Sequence, residues 1–100
     1  MLPFAVYRVT GQSMAPGIGE SDYVLVNKLS YLLGEPRSGD VVVVKHPRTG
    51  RLIVKRVAKV EPDRYVLRGD NEKASSDSRG FGAVTRKMLV GKVWKVFRGG

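Results

Sequence analysis

The sequence predicts an all-β fold: a small barrel or sandwich of short strands with at most one or two short helical turns. Three observations predict it. Apolar and polar residues alternate with a period of two in several short runs. Glycine- and proline-rich stretches cut these runs apart. The run Val41-Val42-Val43-Val44 is β-branched throughout, a composition that packs well on a pleated surface and crowds a helix.

In chain order, Phe4 to Thr10 reads as a strand, with Phe4, Val6 and Arg8 on one face and Ala5, Tyr7 and Val9 on the other. Gly11 to Asp22 is a loop dense in glycine, serine and proline, and Tyr23 to Lys28 is a second strand. Leu29-Ser30-Tyr31-Leu32-Leu33 fits a helical turn or a strand end equally well. Gly34 to Asp40 is a turn-rich connector into the buried strand Val41 to Lys45, after which His46 to Gly50 turns the chain. Arg51 to Val60 alternates as a longer strand and puts Lys55 on one face with Ile53 and Val57. Glu61-Pro62-Asp63 is a turn, Arg64 to Arg68 a short strand and Gly69 to Gly82 a polar loop. Val84 to Leu89 leaves room for one turn of helix before the closing strand, Lys92 to Phe97.

At 100 residues with a 42% hydrophobic fraction, residues 1–100 form a single domain with one core. The absence of cysteine excludes disulfides and thiolate metal sites and leaves the redox compartment open. A formal net charge of +9 draws nucleic acid, anionic lipid or acidic peptides. A nucleic-acid-binding β-barrel needs an aromatic platform on one face. Here the aromatic residues are dispersed along the chain, so nucleic acid is not an expected partner. No apolar run approaches the ~20 residues that span a bilayer, and Met1 to Tyr7 lacks a basic leader and a cleavage site. The expected location is the cytoplasm; an anchor removed from the chain would instead make it membrane-associated, with its catalytic core outside the cytoplasmic membrane.

The chemistry centres on Gly11-Gln12-Ser13-Met14-Ala15-Pro16, where a serine stands between a permissive glycine and a rigid proline at the exit from a strand. A serine nucleophile needs a base and donors for an oxyanion. His46 precedes Pro47 in a turn and is a poor candidate for the base. A lysine serves if it is uncharged, and burial favours the neutral amine. Lys55, between Ile53 and Val57 on its strand face, has that neighbourhood, although a lysine snorkelling at a strand edge reads the same way. In the later polar loop Asp77 and Arg79 lie two apart, so in extended chain they share a face and can pair with each other or with Arg56. Ser75 or Ser76 can hydrogen-bond an amine and fix its rotamer.

In this order the stretches resemble the type I signal peptidases, a family of serine–lysine endopeptidases. Gly11-Gln12-Ser13-Met14-Ala15-Pro16 looks like the nucleophile box, and Ser38-Gly39-Asp40-Val41-Val42-Val43 like the Gly-Asp-valine strand. Val54-Lys55-Arg56-Val57 looks like the general-base box, and Gly69-Asp70-Asn71 with Ser75, Asp77, Ser78 and Arg79 like the last box. The resemblance implies a small catalytic β core in which Ser13 is the nucleophile and its main-chain amide an oxyanion donor. It implies that Lys55 is the general base, oriented by Ser75, and that Asp77, Arg79 and Arg56 form a salt-bridged support. Met14 would line the pocket for the residue before the cleaved bond, the substrate would bind as an added strand, and neither metal nor cofactor is required. Departures are Gly17 after the proline, Ser21-Asp22 in place of Gly-Asp, and Gly11 where some relatives carry a further hydroxyl. Only Val57 to Arg68 separates the base box from the last box, so the large second β region of typical signal peptidases is missing. This compact form is similar to the maturation proteases of nickel-containing superoxide dismutase. The implied substrate is then a precursor with an N-terminal extension, nickel superoxide dismutase itself. The alternative is the core of a membrane-anchored signal peptidase that cleaves secretory signal peptides. Self-cleaving repressors share the dyad but need a DNA-binding domain and an internal cleavage segment, and neither is seen in the sequence.

Overall fold

The computed structural model describes residues 3–71 and 82–99. Its strands are β1 (Phe4–Arg8), β2 (Tyr23–Asn27), β3 (Val41–Lys45), β4 (Leu52–Glu61), β5 (Arg64–Arg68) and β6 (Leu89–Phe97). They join in one sheet of order β1-β2-β6-β3-β4-β5, every pair antiparallel. One turn of helix, α1 (Ser30–Leu33), and a 3-10 turn (Arg86–Met88) complete the described elements, so the fold is all-β.

The valine run explains the centre of the sheet. β3 is hydrogen-bonded to β4 on one side and β6 on the other. Successive side chains on a strand point to opposite faces, and Val42, Val43 and Val44 are all buried, so both faces of β3 are covered. Val43 joins Val9, Met14, Ile18, Val24, Val26 and Val54 in one cluster. Val42 and Val44 join Tyr31, Val57, Tyr65, Leu67 and Val84 in the other. Each fully buried valine contributes about 1.5–3 kcal/mol, which makes β3 the keel of the fold.

The ambiguous stretch after β2 is helical because its middle residue is anchored. Tyr31 is buried, and its hydroxyl donates to the Asp40 carboxylate at 2.8 Å. The closing strand starts earlier than its sequence pattern suggests, since Leu89 and Gly91 already pair with Val44 and Val43. Gly91 permits this. A Cβ there would lie 2.6 Å from the Asn27 carbonyl oxygen and 2.7 Å from Val26 Cγ1.

Two features prepare the site. β4 pairs with β3 over Leu52–Arg56 and with β5 only from Arg56 onward, so among the described residues the other edge of Leu52–Val54 has no strand partner. Residues at the end of β1 and the start of β4 line one cleft although these strands are far apart in the sheet order. The sheet therefore coils until the two edges face each other. At its β1-β2-β6 end it also presents Phe4, Val6, Tyr23, Trp94 and Phe97 to solvent. The rings of Phe4 and Trp94 meet edge to face at 5.1 Å, so aromatic residues that are dispersed along the sequence are gathered on one face by the strand pairing, contrary to the expectation drawn from their dispersal.

Candidate active site

The segment carrying Ser13 is a tight turn pinned at both ends. Gly11 adopts φ 84°, in the region that favours glycine. Ala15 N donates to the Gln12 carbonyl at 3.1 Å and Ile18 N to the Met14 carbonyl at 3.0 Å. The side chains of Met14 and Ile18 plug the first core cluster. Ser13, immediately before this anchor, is half-buried and opens on the cleft. The base of the turn is closed by Val9 N donating to the Asp22 carbonyl at 2.7 Å and Ser21 N to the Val9 carbonyl at 2.9 Å.

The cleft has a volume of about 210 Å³ and runs from Tyr7–Thr10 past Ser13 to Val43 and Leu52–Val54. Lys55 is the next residue of β4. It stands opposite Val42 in the β3–β4 register and is only 3% exposed, so it is held inside the protein rather than at a solvated edge. Withdrawing an ammonium from water favours the neutral amine. Met14 is 2% exposed and sits in the core; it is not among the residues lining this cleft.

The stretches singled out in the sequence converge through hydrogen bonds. Arg56 donates from Nε and Nη2 to the two Asp70 oxygens, both at 2.9 Å, and from Nη1 to the Gly39 carbonyl at 2.8 Å. The hydrogen bond from Arg56 holds the Asp70 carboxyl below its ordinary range against the opposing effect of burial. The same pair raises Arg56. Asn71 N donates to the Ser13 carbonyl at 2.8 Å, and Asn71 Nδ2 to the Gln12 carbonyl at 3.0 Å. Asp70 N reaches Met14 Sδ at 3.4 Å. The Gly69–Asn71 corner thus ties the turn bearing Ser13 to the strand bearing Lys55 and to the Gly39 connector.

Ser75, Asp77 and Arg79 lie outside the described residues. Among the described residues the carboxylate partner of Arg56 is Asp70, to which the sequence reading gave no role. That reading also missed Asn71 as the link to Ser13, and Asp22. The Asp22 carboxylate accepts from Gly19 N at 2.8 Å, Gly99 N at 3.0 Å and Arg98 Nη1 at 2.9 Å. The two backbone donors, with Gly19 first, and then Arg98 hold its carboxyl below the usual value. Asp70 and Asn71 stand in a stretch already singled out, but no spacing rule links them to Arg56 or Ser13. Among the described residues no group of three His, Asp or Glu side chains is placed to hold a metal ion.

Comparison with known proteins identifies the family of the chain. The family described as "Signal peptidase, peptidase S26" matches residues 1–64 and 57–97. The mitochondrial ATP-independent inner membrane protease subunit 1a of Arabidopsis thaliana is 33% identical over 108 aligned residues, covering 84% of this chain and 64% of the relative. Signal peptidase I of Aquifex aeolicus (strain VF5) is 40% identical over 52 residues, 51% of this chain and 20% of the relative. Mitochondrial inner membrane protease subunit 1 of Homo sapiens is 31% identical over 110 aligned residues, 89% of this chain and 66% of the relative. The chain thus spans 66% or less of the length of these relatives. On the family match, the chain belongs to the signal peptidases of family S26.

Proposed function

We propose that the chain is the catalytic core of a serine endopeptidase that removes an N-terminal extension from a precursor protein at a membrane surface. The observation that carries this reading is a lysine buried in β4 directly after the three residues that share a cleft with Ser13. The precursor lies as an added strand between the edge of β1 and the edge of Leu52–Val54, which no described strand covers. Ser13 Oγ attacks the scissile carbonyl carbon while Lys55 Nζ takes its proton. The Ser13 main-chain N–H donates to the developing oxyanion. The lysine proton passes to the leaving amine as the C–N bond breaks. Lys55 Nζ, neutral again, then takes a proton from a water that attacks the acyl carbon and gives it to Ser13 Oγ as the ester bond breaks. Ser75 orients the lysine, and Asp77, Arg79 and Arg56 support the site; these four roles come from the family resemblance.

Two observations favour a membrane surface over the cytoplasm. Two of the relatives are named inner membrane proteases, and the β1-β2-β6 end exposes an aromatic face. No described helix is long and apolar enough to cross a membrane. Maturation of nickel superoxide dismutase is a second reading, favoured by the tight turn that joins β4 directly to β5 at Glu61–Arg64.

The test is mass spectrometry after incubation with two precursors, one bearing a secretory signal peptide in detergent and one of nickel superoxide dismutase. One defined cut by the wild type, absent with Ser13→Ala and with Lys55→Ala, supports the dyad. The precursor that is cut decides the substrate. Undiminished cleavage by either variant would sink the mechanism.

A further inference from the structure

A second cleft, of about 670 Å³, opens beside the turn that carries Ser13. It is lined by Ala15, Pro16, Arg56, Ala58, Arg68, Gly69, Asp70 and Asn71. Its small residues, Ala15, Ala58 and Gly69, leave it open. Its charges are unbalanced. Arg56 and Arg68 face each other in the β4–β5 register, and like charges directly opposite are unfavourable. Asp70 neutralises Arg56 through two hydrogen bonds. Among the described residues Arg68, the second guanidinium lining this cleft, makes no ion pair or side-chain hydrogen bond.

Its position relates the cleft to the reaction. Ala15 and Pro16 belong to the same turn as Ser13, and Asn71 holds the Ser13 carbonyl at 2.8 Å. Arg56 follows Lys55 directly in β4. The two clefts adjoin along both segments: Ser13 and Val54 line the first, and Ala15 and Arg56 line the second. An extended chain advances about 3.3 Å per residue, so a side chain within about three residues of the cleaved bond reaches it.

We propose that this cleft binds an Asp or Glu side chain of the substrate through Arg68, which makes the chain selective for precursors with an acidic residue close to the cleaved bond on the flank away from the paired strand. The guanidinium fork suits a carboxylate in two-point contact, and the net charge of +9 favours approach of an acidic segment. The proposal rests on the peptidase reading above, so its test has one arm that needs cleavage and one that does not.

In the first arm a mixed peptide library is digested and the cut sites are read by mass spectrometry. The wild type enriches Asp and Glu on one flank about three- to tenfold over Asn and Gln. Arg68→Ala removes the enrichment, Arg68→Lys restores part of it, and Arg68→Glu inverts it towards Lys and Arg. Equal enrichment in wild type and Arg68→Ala overturns the proposal while leaving the peptidase reading standing. In the second arm the ¹⁵N shifts of Arg68 Nε and Gly69 N are followed in Ser13→Ala protein titrated with N-acetyl-aspartate amide or N-acetyl-asparagine amide at matched ionic strength. Shifts with the acidic probe alone, abolished by Arg68→Ala, are expected. No response, or an equal response to both probes, overturns the proposal whether or not any peptide is cut.

Discussion

At Lys55 packing and chemistry pull in opposite directions. A lysine normally lays its stem on apolar surface and keeps its amine in water, yet this one is 3% exposed opposite Val42. Burial disfavours the ammonium and favours the free amine that a general base must be. Turnover is therefore expected to fall as pH drops, tenfold per unit below the apparent pKa of the lysine in the substrate complex, and a kcat–pH profile flat through that range would exclude the role. Lys55→Met keeps most of the volume and removes the amine. It is expected to keep or raise the urea midpoint while hydrolysis falls about 10³-fold or more. Asp70 separates structure from activity differently. Its folded pKa is lowered, so its contribution to stability is present above the ordinary carboxylate value of 3.8 and is lost as pH falls through the folded value. Both partners are more than a third exposed, so Asp70→Asn is expected to cost at most about 1 kcal/mol of stability. Turnover should drop further, about tenfold, because the neighbouring Asn71 holds the Ser13 carbonyl. Loss of stability without loss of turnover would make the pair merely structural.

At the scale of the elements, β6 is the strand that fastens the β1–β2 hairpin to the rest of the sheet. Gly91 is its narrowest point, so Gly91→Ala must push β6 away from Asn27. A loss of about 1–3 kcal/mol by urea unfolding is expected; an unchanged midpoint would mean that β2 shifts freely. The alternation of burial made β2 and β5 legible in the sequence nearly to the residue, and the run of β-branched valines did the same for β3, which is covered on both faces. The start of β6 was not legible, because glycine in Leu89-Val90-Gly91 reads as a break and its value lies in a neighbour that only the fold supplies. For the same reason Ser13 and Lys55 were visible as candidates, but the partner of Arg56 was not. A register shift between Val57 and Lys59 still leaves Arg56 opposite Arg68, and only that pairing sets Asp70 beside the guanidinium. Met14 follows Ser13 directly in the turn. Its neighbour Ser13 opens on the cleft, while its own side chain is buried in the core.

The whole molecule carries a net charge of +9 and one face that folding leaves apolar. In the sheet register Val6, Leu25 and Lys95 form one row and Arg8, Tyr23 and Phe97 the next, so aromatic and basic groups share this surface. Trp94 is 53% exposed and Phe97 50%, unusual for rings of this size in a protein with water on every side. Rings of this kind beside lysine and arginine match the boundary between acyl chains and anionic headgroups. The proposed membrane-surface function therefore predicts binding to vesicles containing phosphatidylglycerol. Trp94 is the sole tryptophan, so its emission should shift to the blue as vesicles are added. Replacing Trp94 and Phe97 by alanine removes the reporter, and flotation then takes its place; each ring that enters the boundary is worth about 1.5–3 kcal/mol, so binding should weaken at least tenfold. Raised salt should weaken wild-type binding by screening the basic residues, while uncharged vesicles should retain only the part due to the rings. If the wild type shows neither emission shift nor flotation, this face does not meet lipid, and access to a membrane-bound precursor must then come from a segment outside the described fold.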